Sequence, residues 1–179
     1  MRFGSAHKHS PARSEQLILF RSSNQIFAIS SSSVQEVRSV DSLAGLATEI
    51  LEPQVPTVRH ALRRGERCVY VVNVALHFGL KPSPAALIFL LRKSRVALLL
   101  DGIEKMTTMT MLQALPAAFC HEEQRWYRGL TVLDQNVIPV VNPEGFLTSD
   151  ELFLLDLASE KLHVESAAPS ESTGAGLVP

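Results

Sequence analysis

The sequence has little cysteine and no long hydrophobic run. Of its 179 residues, only Cys68 and Cys120 are cysteines. They match neither CxxC nor zinc-ribbon spacing, and a single bridge is a poor framework for a chain of this size. The apolar run at residues 17–20 is too short for a secretory signal, and the longest, residues 85–91, cannot cross a bilayer that needs about 20 residues of helix. We therefore expect a cytoplasmic protein with no direct membrane insertion.

Neither sign of charge is in excess. The chain carries 17 Lys and Arg against 18 Asp and Glu, a formal net charge of −1, and 46% of its residues are hydrophobic. A nucleic-acid-binding protein normally carries a cationic surplus for phosphate contacts, so we expect no nucleic-acid partner. The apolar content is high enough to offset the entropy lost on folding, so the chain should build its own core.

Motifs for catalysis and cofactor binding are also missing. No GxGxxG, GxxxxGK[ST] or GxSxG string occurs. The string HEEQR begins at His121 like the zinc-binding HExxH motif, but Arg125 stands in place of the second histidine. We expect no metal, no cofactor and no enzymatic activity. One alternative of another class stays open, a thiol hydrolase in which Cys120 and a histidine such as His60, His77 or His121 converge to form a thiolate.

Short runs rich in Val, Ile and Leu alternate with turn residues through the middle of the chain. They predict eight to ten strands, mostly antiparallel because their connections are tight, and one short helix near residues 42–48. A longer helix is predicted after Thr148, because Thr148 and Glu151 match the capping box. The apolar stripe of that helix is Leu152, Leu155, Ala158 and Leu162.

These patterns divide the chain into three parts. Residues 1–15 are polar and lack periodicity, which predicts a disordered arm. Residues 162–179 are rich in Ser, Pro, Gly and Ala, which predicts a disordered tail. We expect the function to lie in a mostly β domain over residues 16–161.

The densest positive patch consists of Arg59, Arg63, Arg64 and Arg67. A guanidinium group presents a planar fork of donors, so the patch is either a docking surface for an acidic or carbonyl-rich partner or an ordinary solvated loop. The pattern alone does not choose between the two.

Four stretches together resemble the CheW family of chemotaxis coupling proteins. They are NQIFAISSSSVQEVRSVD, VALLLDGIEKMTTM around Asp101, YRGLTVLDQNVIPVVNPEGFL, and the terminal helix string TSDELFLLDLASE. Each is mostly apolar alternation, but their order and spacing are specific. The chain is identified as a divergent member of this family.

The resemblance implies a fold and a role. The fold would be two tandem five-stranded SH3-like barrels with a C-terminal helix. The role would be that of a non-catalytic adaptor that couples the regulatory domain of a CheA-type histidine kinase to the hairpin tips of chemoreceptors in cytoplasmic arrays. A second possibility keeps the fold but places it in a kinase pathway for pili or development.

The resemblance also implies partner-binding residues. Val34 and Glu36 match the VQEIR string and, two positions apart on a strand, should share one face. Core packing is the alternative for Val34. Arg64 and Gly65 match the Arg-Gly of a GVxNLRG turn, and Arg63 could replace Arg64 in its role. This turn departs from the family, because His60 stands for the first glycine and Asn73 for an aspartate, and the one-residue shift leaves the facing of residues 68–74 open.

Overall fold

The computed structural model describes residues 14–50, 54–65, 67–119 and 121–166, with the side chains of the last helix described as far as residue 160. Its strands are β1 (Glu15–Ser22), β2 (Gln25–Ser30), β3 (Val34–Ser39), β4 (Ala47–Glu49), β5 (Val58–Arg64), β6 (Arg67–Asn73), β7 (Leu87–Leu91), β8 (Val96–Leu100), β9 (Gly102–Met109), β10 (Tyr127–Leu133) and β11 (Asn136–Val141). Its α-helices are α1 (Val74–His77), α2 (Glu123–Trp126) and α3 (Ser149–Ser166). The described chain is therefore mostly β, as the sequence predicts.

The strands form two sheets. The first has five strands in the order β10-β11-β2-β1-β9, and the second has six in the order β3-β7-β8-β6-β5-β4. We call the parts built on these sheets the first unit and the second unit. The first unit combines strands from both ends of the described chain, whereas the second unit comes from its middle. The expected fold of two small β units with a C-terminal helix is confirmed, with a sixth strand in the second sheet.

The sixth strand replaces the short helix expected near residues 42–48. A single 3-10 turn covers Val40–Leu43, and the chain then passes through Gly45 at a φ of +82° into β4. Strand β4 pairs antiparallel with residues His60 to Leu62 of β5. These backbone hydrogen bonds to β5 override the weak local preference for a helix.

The first unit closes into a barrel-like form, and one side-chain contact links distant strands of the second sheet. In the first unit, Gln113, which follows β9, exchanges backbone hydrogen bonds of 2.7 and 2.9 Å with Leu130 of β10. Gly129 makes this approach possible, because a Cβ atom there would lie 2.3 Å from the Gln113 carbonyl oxygen. In the second unit, Arg64 of β5 donates to the Gln35 Oε1 atom of β3 at 3.3 Å, so the two sides of that sheet also come together.

A shared apolar core lies between the two units. Each unit has a smaller interior cluster, and the largest cluster among the described residues joins both sheets. Strand β1 shows the division, since Leu17 and Leu19 face the interior of the first unit while Ile18 and Phe20 face the shared core. Successive side chains on a strand point to opposite faces, so both faces of β1 are buried. This explains why its sequence is an apolar run rather than an alternation.

Helix α3 covers one side of the shared core. The predicted capping box is confirmed, because the Glu151 amide donates to Thr148 Oγ1 at 3.0 Å and the Thr148 amide donates to Glu151 Oε2 at 2.7 Å. Leu155 is fully buried, and Leu152 and Ala158 pack against the shared core. The helix runs past residue 161 to Ser166. The disordered arm and tail, and the domain limits at 16 and 161, stay predictions.

A polar cluster ties α3 to the second unit. The Tyr70 hydroxyl donates to Asp156 Oδ1 at 2.6 Å, and Arg95 binds the same carboxylate, with its Nη1 at 2.9 Å from Oδ2. Burial and the neighbouring Asp156 raise the pKa of Tyr70 to about 12, whereas the hydrogen bond from Arg95 lowers the pKa of Asp156. The Asp156 carboxylate therefore stays ionised at neutral pH and holds the helix in register on β6 and β8.

Candidate partner-binding surface

The β5–β6 hairpin carries three of the predicted site residues at its tip. Arg64 and Arg67 are paired across the turn, which contains Gly65. Gly65 has a φ of +62°, a left-handed conformation that favours glycine, and its carbonyl accepts a hydrogen bond from Arg63 Nε at 3.3 Å. Arg63, Arg64 and Gly65 are therefore brought together on one exposed tip.

Strand β3 places Val34 and Glu36 on opposite faces, which corrects the expectation that they share one. The register shifts at Gln35, so that Val34 pairs with Leu91 and Glu36 pairs with Leu90. Neighbouring residues of β7 point to opposite sides, so their partners on β3 do too. This is the effect of a β-bulge, which inserts an odd residue into the alternation.

The bulge leaves Val34 on the face of the shared core and Glu36 on the face of Leu90, where it is partly exposed. Val34 is only 8% exposed and belongs to the shared core, which agrees with the core-packing alternative. Glu36 accepts hydrogen bonds from Arg38, at 2.8 Å from Nε and 3.2 Å from Nη2. This contact with Arg38, and more weakly the charge of Arg64, lower the pKa of Glu36. Glu36 is therefore an ionised group between two arginines.

A cleft of about 430 Å³ joins the hairpin tip to β3. We call it the hairpin–β3 cleft, and its apolar floor consists of Leu62 and Leu90, with the exposed Leu46 at its edge. Its polar rim contains Arg38, Arg63 and Arg64. Sequence reasoning missed Arg38 and Leu46. The signal for Leu46 is present in the sequence, because a leucine beside Gly45 in a polar turn has no strand or helix to pack into.

Comparisons with known proteins concern the family and the fold. The model of the CheW-like domain matches residues 16–151. The chain belongs to the CheW-like domain family. A probable chemotaxis protein CheW from Rhizobium etli is 25% identical over 144 residues, which span 76% of this chain and 89% of that protein. The crystal structure of the scaffolding protein TtCheW from Thermoanaerobacter tengcongensis matches with a TM-score of 0.64 and 13% identity, over 83% of this chain and 96% of that one. At that identity the structural match concerns the fold alone.

The membership expected from the four stretches is thus confirmed, and the family is one of chemotaxis adaptors and scaffolds. Within this CheW-like domain, the open question of facing in β6 is also answered. Tyr70 and Val72 face the shared core, and Cys68 packs against it, whereas Val69 and Val71 face the interior of the second unit. Strand β6 therefore has one face on the shared core and the other on the interior of the second unit.

The two departures from the family pattern lie together in the CheW-like domain. His60 and Asn73 line a small cleft of about 270 Å³ with Arg59 and Val71. Asn73 has a structural role there, because its Oδ1 accepts a hydrogen bond from the Leu76 amide at 3.1 Å and so caps α1. An aspartate at this position could make the same cap, which makes the substitution a mild one.

The first unit of the CheW-like domain exposes several large apolar side chains. Val132 and Val137 are paired across the β10–β11 hairpin, and Val137 is 62% exposed. Met106 on the edge strand β9 is 63% exposed, with Ile103 nearby on the same strand. The Val132–Val137 pair is a candidate contact, because exposed apolar groups that lie together mark surfaces that associate with other proteins.

The thiol alternative stays a prediction. Cys120 lies outside the described residues. His77 is buried against Trp126 and Phe146, with ring centroids 4.9 and 4.8 Å away, and burial lowers its pKa to about 4. Among the described residues, no group of His, Cys, Asp and Glu is arranged to hold a metal ion, and no helix is long and apolar enough to span a membrane.

Proposed function

We propose that this CheW-like domain is a non-catalytic adaptor that couples the regulatory domain of a CheA-type histidine kinase to chemoreceptor hairpin tips. It would act in the cytoplasm, recruited to receptor arrays at the membrane. Support comes from the family match over residues 16–151, from the chemotaxis name of the Rhizobium etli relative and from the structural neighbour, which is a scaffolding protein.

The observation that carries this proposal is the hairpin–β3 cleft. It gathers Arg63, Arg64 and Gly65, all expected from the family resemblance, around an apolar floor. Charged donors around an apolar centre are the usual composition of a protein–protein contact. We assign partner contact to these residues and to Glu36, which is partly exposed on the face of β3 that pairs with the cleft residue Leu90.

Val34 has a different part in this proposal. Because it is buried against Leu91, it cannot present its side chain to a partner. We propose that it acts by holding β3 on the shared core, so that the bulge at Gln35 places Glu36 on the same face as Leu90 of the cleft.

The existence of two chemically different surfaces supports a role with two partners. The arginine-rich cleft lies on the second unit, and the exposed Met106, Val132 and Val137 lie on the first. Two separate contacts of modest affinity would become strong when both are engaged in an array. The pilus or developmental pathway keeps the same surfaces and differs only in the kinase and receptor that they bind.

The test is a calorimetric titration of the full chain with the isolated kinase regulatory domain and, separately, with a receptor helical hairpin. We expect saturable binding of both partners. Arg64→Glu should weaken at least one of them about tenfold, a change of about 1.4 kcal/mol, because it reverses an exposed charge at the cleft.

Arg59→Glu is the matched control. It makes the same charge change at another exposed position of β5, away from the hairpin–β3 cleft. Equal weakening by both substitutions would show general charge attraction instead of a specific site. Absence of saturable binding to either partner would contradict the adaptor role itself.

A further inference from the structure

The β5–β6 hairpin separates two clefts of similar size, and the second one has no role so far. This helix–hairpin cleft has a volume of about 440 Å³ and lies between the hairpin and α3. The β5–β6 hairpin contributes Arg63 and Arg67, the turn before β8 contributes Arg95, and the helix contributes Asp156, Ser159 and Glu160. Arg63 lines both clefts, so the hairpin tip is a wall common to the two.

The arginines of this cleft differ in whether they have a hydrogen-bonded or ion-paired partner. Arg95 is paired with Asp156 and stacks over the Tyr70 ring, with its guanidinium carbon 5.4 Å from the ring centroid. Arg67 makes no side-chain hydrogen bond or ion pair with any residue that the structure describes. It also stands directly opposite Arg64 across the hairpin turn, and like charges at such a pair destabilise a hairpin. The cleft therefore contains a cation with no direct partner among the described residues, although the Glu160 carboxylate lines the same cleft.

An apolar ridge borders the cleft on the helix side. Phe153 is 62% exposed and Leu157 is 42% exposed. The two are four positions apart, so they lie one above the other on α3. Asp156 follows Phe153 by three positions and Glu160 follows Leu157 by three, which places the ridge beside the side chains that line the cleft. Large apolar groups and an unpaired arginine thus share one surface.

The floor of the cleft does not offer a free strand edge. At the start of β6, the Cys68 carbonyl already accepts a hydrogen bond from Arg95 Nε at 3.3 Å, and from Tyr70 onward β6 is paired with β8. An extended peptide would therefore find no row of open backbone groups to pair with. A helix needs none, because its own backbone groups are satisfied internally, and it binds through an apolar face laid into a groove.

We propose that the helix–hairpin cleft and the Phe153–Leu157 ridge together form a docking surface for an acidic amphipathic helix of a partner protein. Apolar side chains of that helix cover Phe153 and Leu157. A carboxylate at its border pairs with Arg67 and relieves the repulsion between Arg67 and Arg64. This surface lies on the opposite side of the hairpin from the hairpin–β3 cleft, so it goes beyond the contacts assigned to the kinase and the receptor.

The test uses a fluorescein-labelled synthetic helix with leucines at positions i, i+3, i+4 and i+7 and glutamates elsewhere. Fluorescence anisotropy is measured against the full chain over a range of salt concentrations. We expect saturable binding that weakens as salt increases, because Arg67 is exposed and its pairing is screened. Arg67→Glu and Phe153→Ser should each raise the Kd about tenfold or more.

Two matched substitutions control for charge and for apolar area. Arg59→Glu reverses an arginine on the same hairpin outside the cleft, and Met111→Ser removes a similarly exposed apolar group that belongs to none of the proposed surfaces. Both should leave the Kd within about twofold of the parent. A thermal melt of each variant checks that it is folded. We expect all four variants to fold, because the substituted side chains are exposed.

Several results would overturn the proposal. Non-saturable binding would contradict the proposal directly. Equal weakening by Arg59→Glu and Arg67→Glu would show that the helix binds through overall charge attraction and not at this cleft. Equal competition by a DNA duplex would make the cleft a general polyanion site. Sedimentation showing a dimer that Phe153→Ser abolishes would make the ridge a contact between copies of this chain. The kinase and receptor titrations are separate experiments, so failure here leaves the adaptor proposal standing.

Discussion

The two β units expose different chemistry while sharing one core. The first unit exposes Met106, Val132 and Val137, whereas the second carries arginines at a hairpin tip flanked by two clefts. Between them, Phe20 of the first unit meets Phe89 of the second with ring centroids 5.7 Å apart. The two units therefore share one core but present different side chains at their surfaces. Substitutions can therefore be chosen to act on both units at once or on one surface alone.

The shared core gives the largest expected effect. Phe89 is fully buried, so Phe89→Ala should lower the free energy of unfolding by about 3–5 kcal/mol. Because the cluster joins both sheets, the two units should still unfold together. The measurement is urea unfolding followed by far-UV circular dichroism and by the fluorescence of Trp126, the one tryptophan of the chain. Ile103→Ala, at an exposed position of β9, should change stability by less than about 1 kcal/mol.

Two separate transitions in Phe89→Ala would contradict the joint stability of the units. They would show that each unit is stable on its own interior cluster and that the shared core only docks one on the other. Coincident transitions in both probes, shifted by the same amount, would support a single cooperative unit.

Lowering the pH should destabilise the fold through His77, which lies next to this core. Burial lowers its folded pKa from 6.5 to about 4, while the charge of Glu151 opposes the shift. Between these two values the unfolded chain binds a proton that the folded chain excludes, so the free energy of unfolding falls as the pH falls. The loss is on the order of 3 kcal/mol over that window. Paired carboxylates such as Asp156, whose pKa is lowered, lose their contribution only at still lower pH.

Substitution of His77 by Phe tests this prediction, because the site is already lined by rings. Urea unfolding of His77→Phe at pH values between 7 and 4 should show a flatter dependence than the parent. His60→Gln controls for the loss of any histidine. A parent protein with constant stability over that window would show that His77 is protonated at little cost, contrary to its buried position.

Two glycines, one in each unit, differ in the space around an added Cβ atom. At Gly65 nothing lies within 4 Å of an added Cβ, so Gly65→Ala should cost about 1–2 kcal/mol through its left-handed φ alone. At Gly129 the added atom would lie 2.3 Å from a backbone oxygen and break the closure of the first unit. Gly129→Ala should therefore cost clearly more, as thermal melts of both variants will show. Equal costs would indicate that the Gln113–Leu130 pairing gives way easily.

Several features followed from local sequence rules. The capping box at Thr148 and Glu151 depends on side chains three positions apart, so the sequence contains all its information. Gly65 at a hairpin turn and the short apolar strands are equally local. The grouping of the strands into two β units came from the family resemblance, because alternation alone does not say which strands pair.

The features that escaped prediction depend on contacts distant in sequence. The bulge at Gln35 reverses the facing of Glu36, and it exists because β3 must match β7. Strands β8 and β9 follow one another with only Asp101 between them, yet belong to different sheets. Asp101 marks the crossing, since its Oδ2 accepts hydrogen bonds from the Ser23 amide at 2.7 Å and the Ser83 hydroxyl at 2.5 Å.

The assembly of the first unit from both ends of the described chain has a consequence for biosynthesis. Strands β1 and β2 leave the ribosome first, but their neighbours β9, β10 and β11 are translated only after the whole second unit. At elongation rates of about 5–20 residues per second, β1 and β2 wait several seconds for these neighbours, and their apolar side chains stay exposed during that time. This interval makes the emerging polypeptide a natural client for chaperones until the last hairpin arrives.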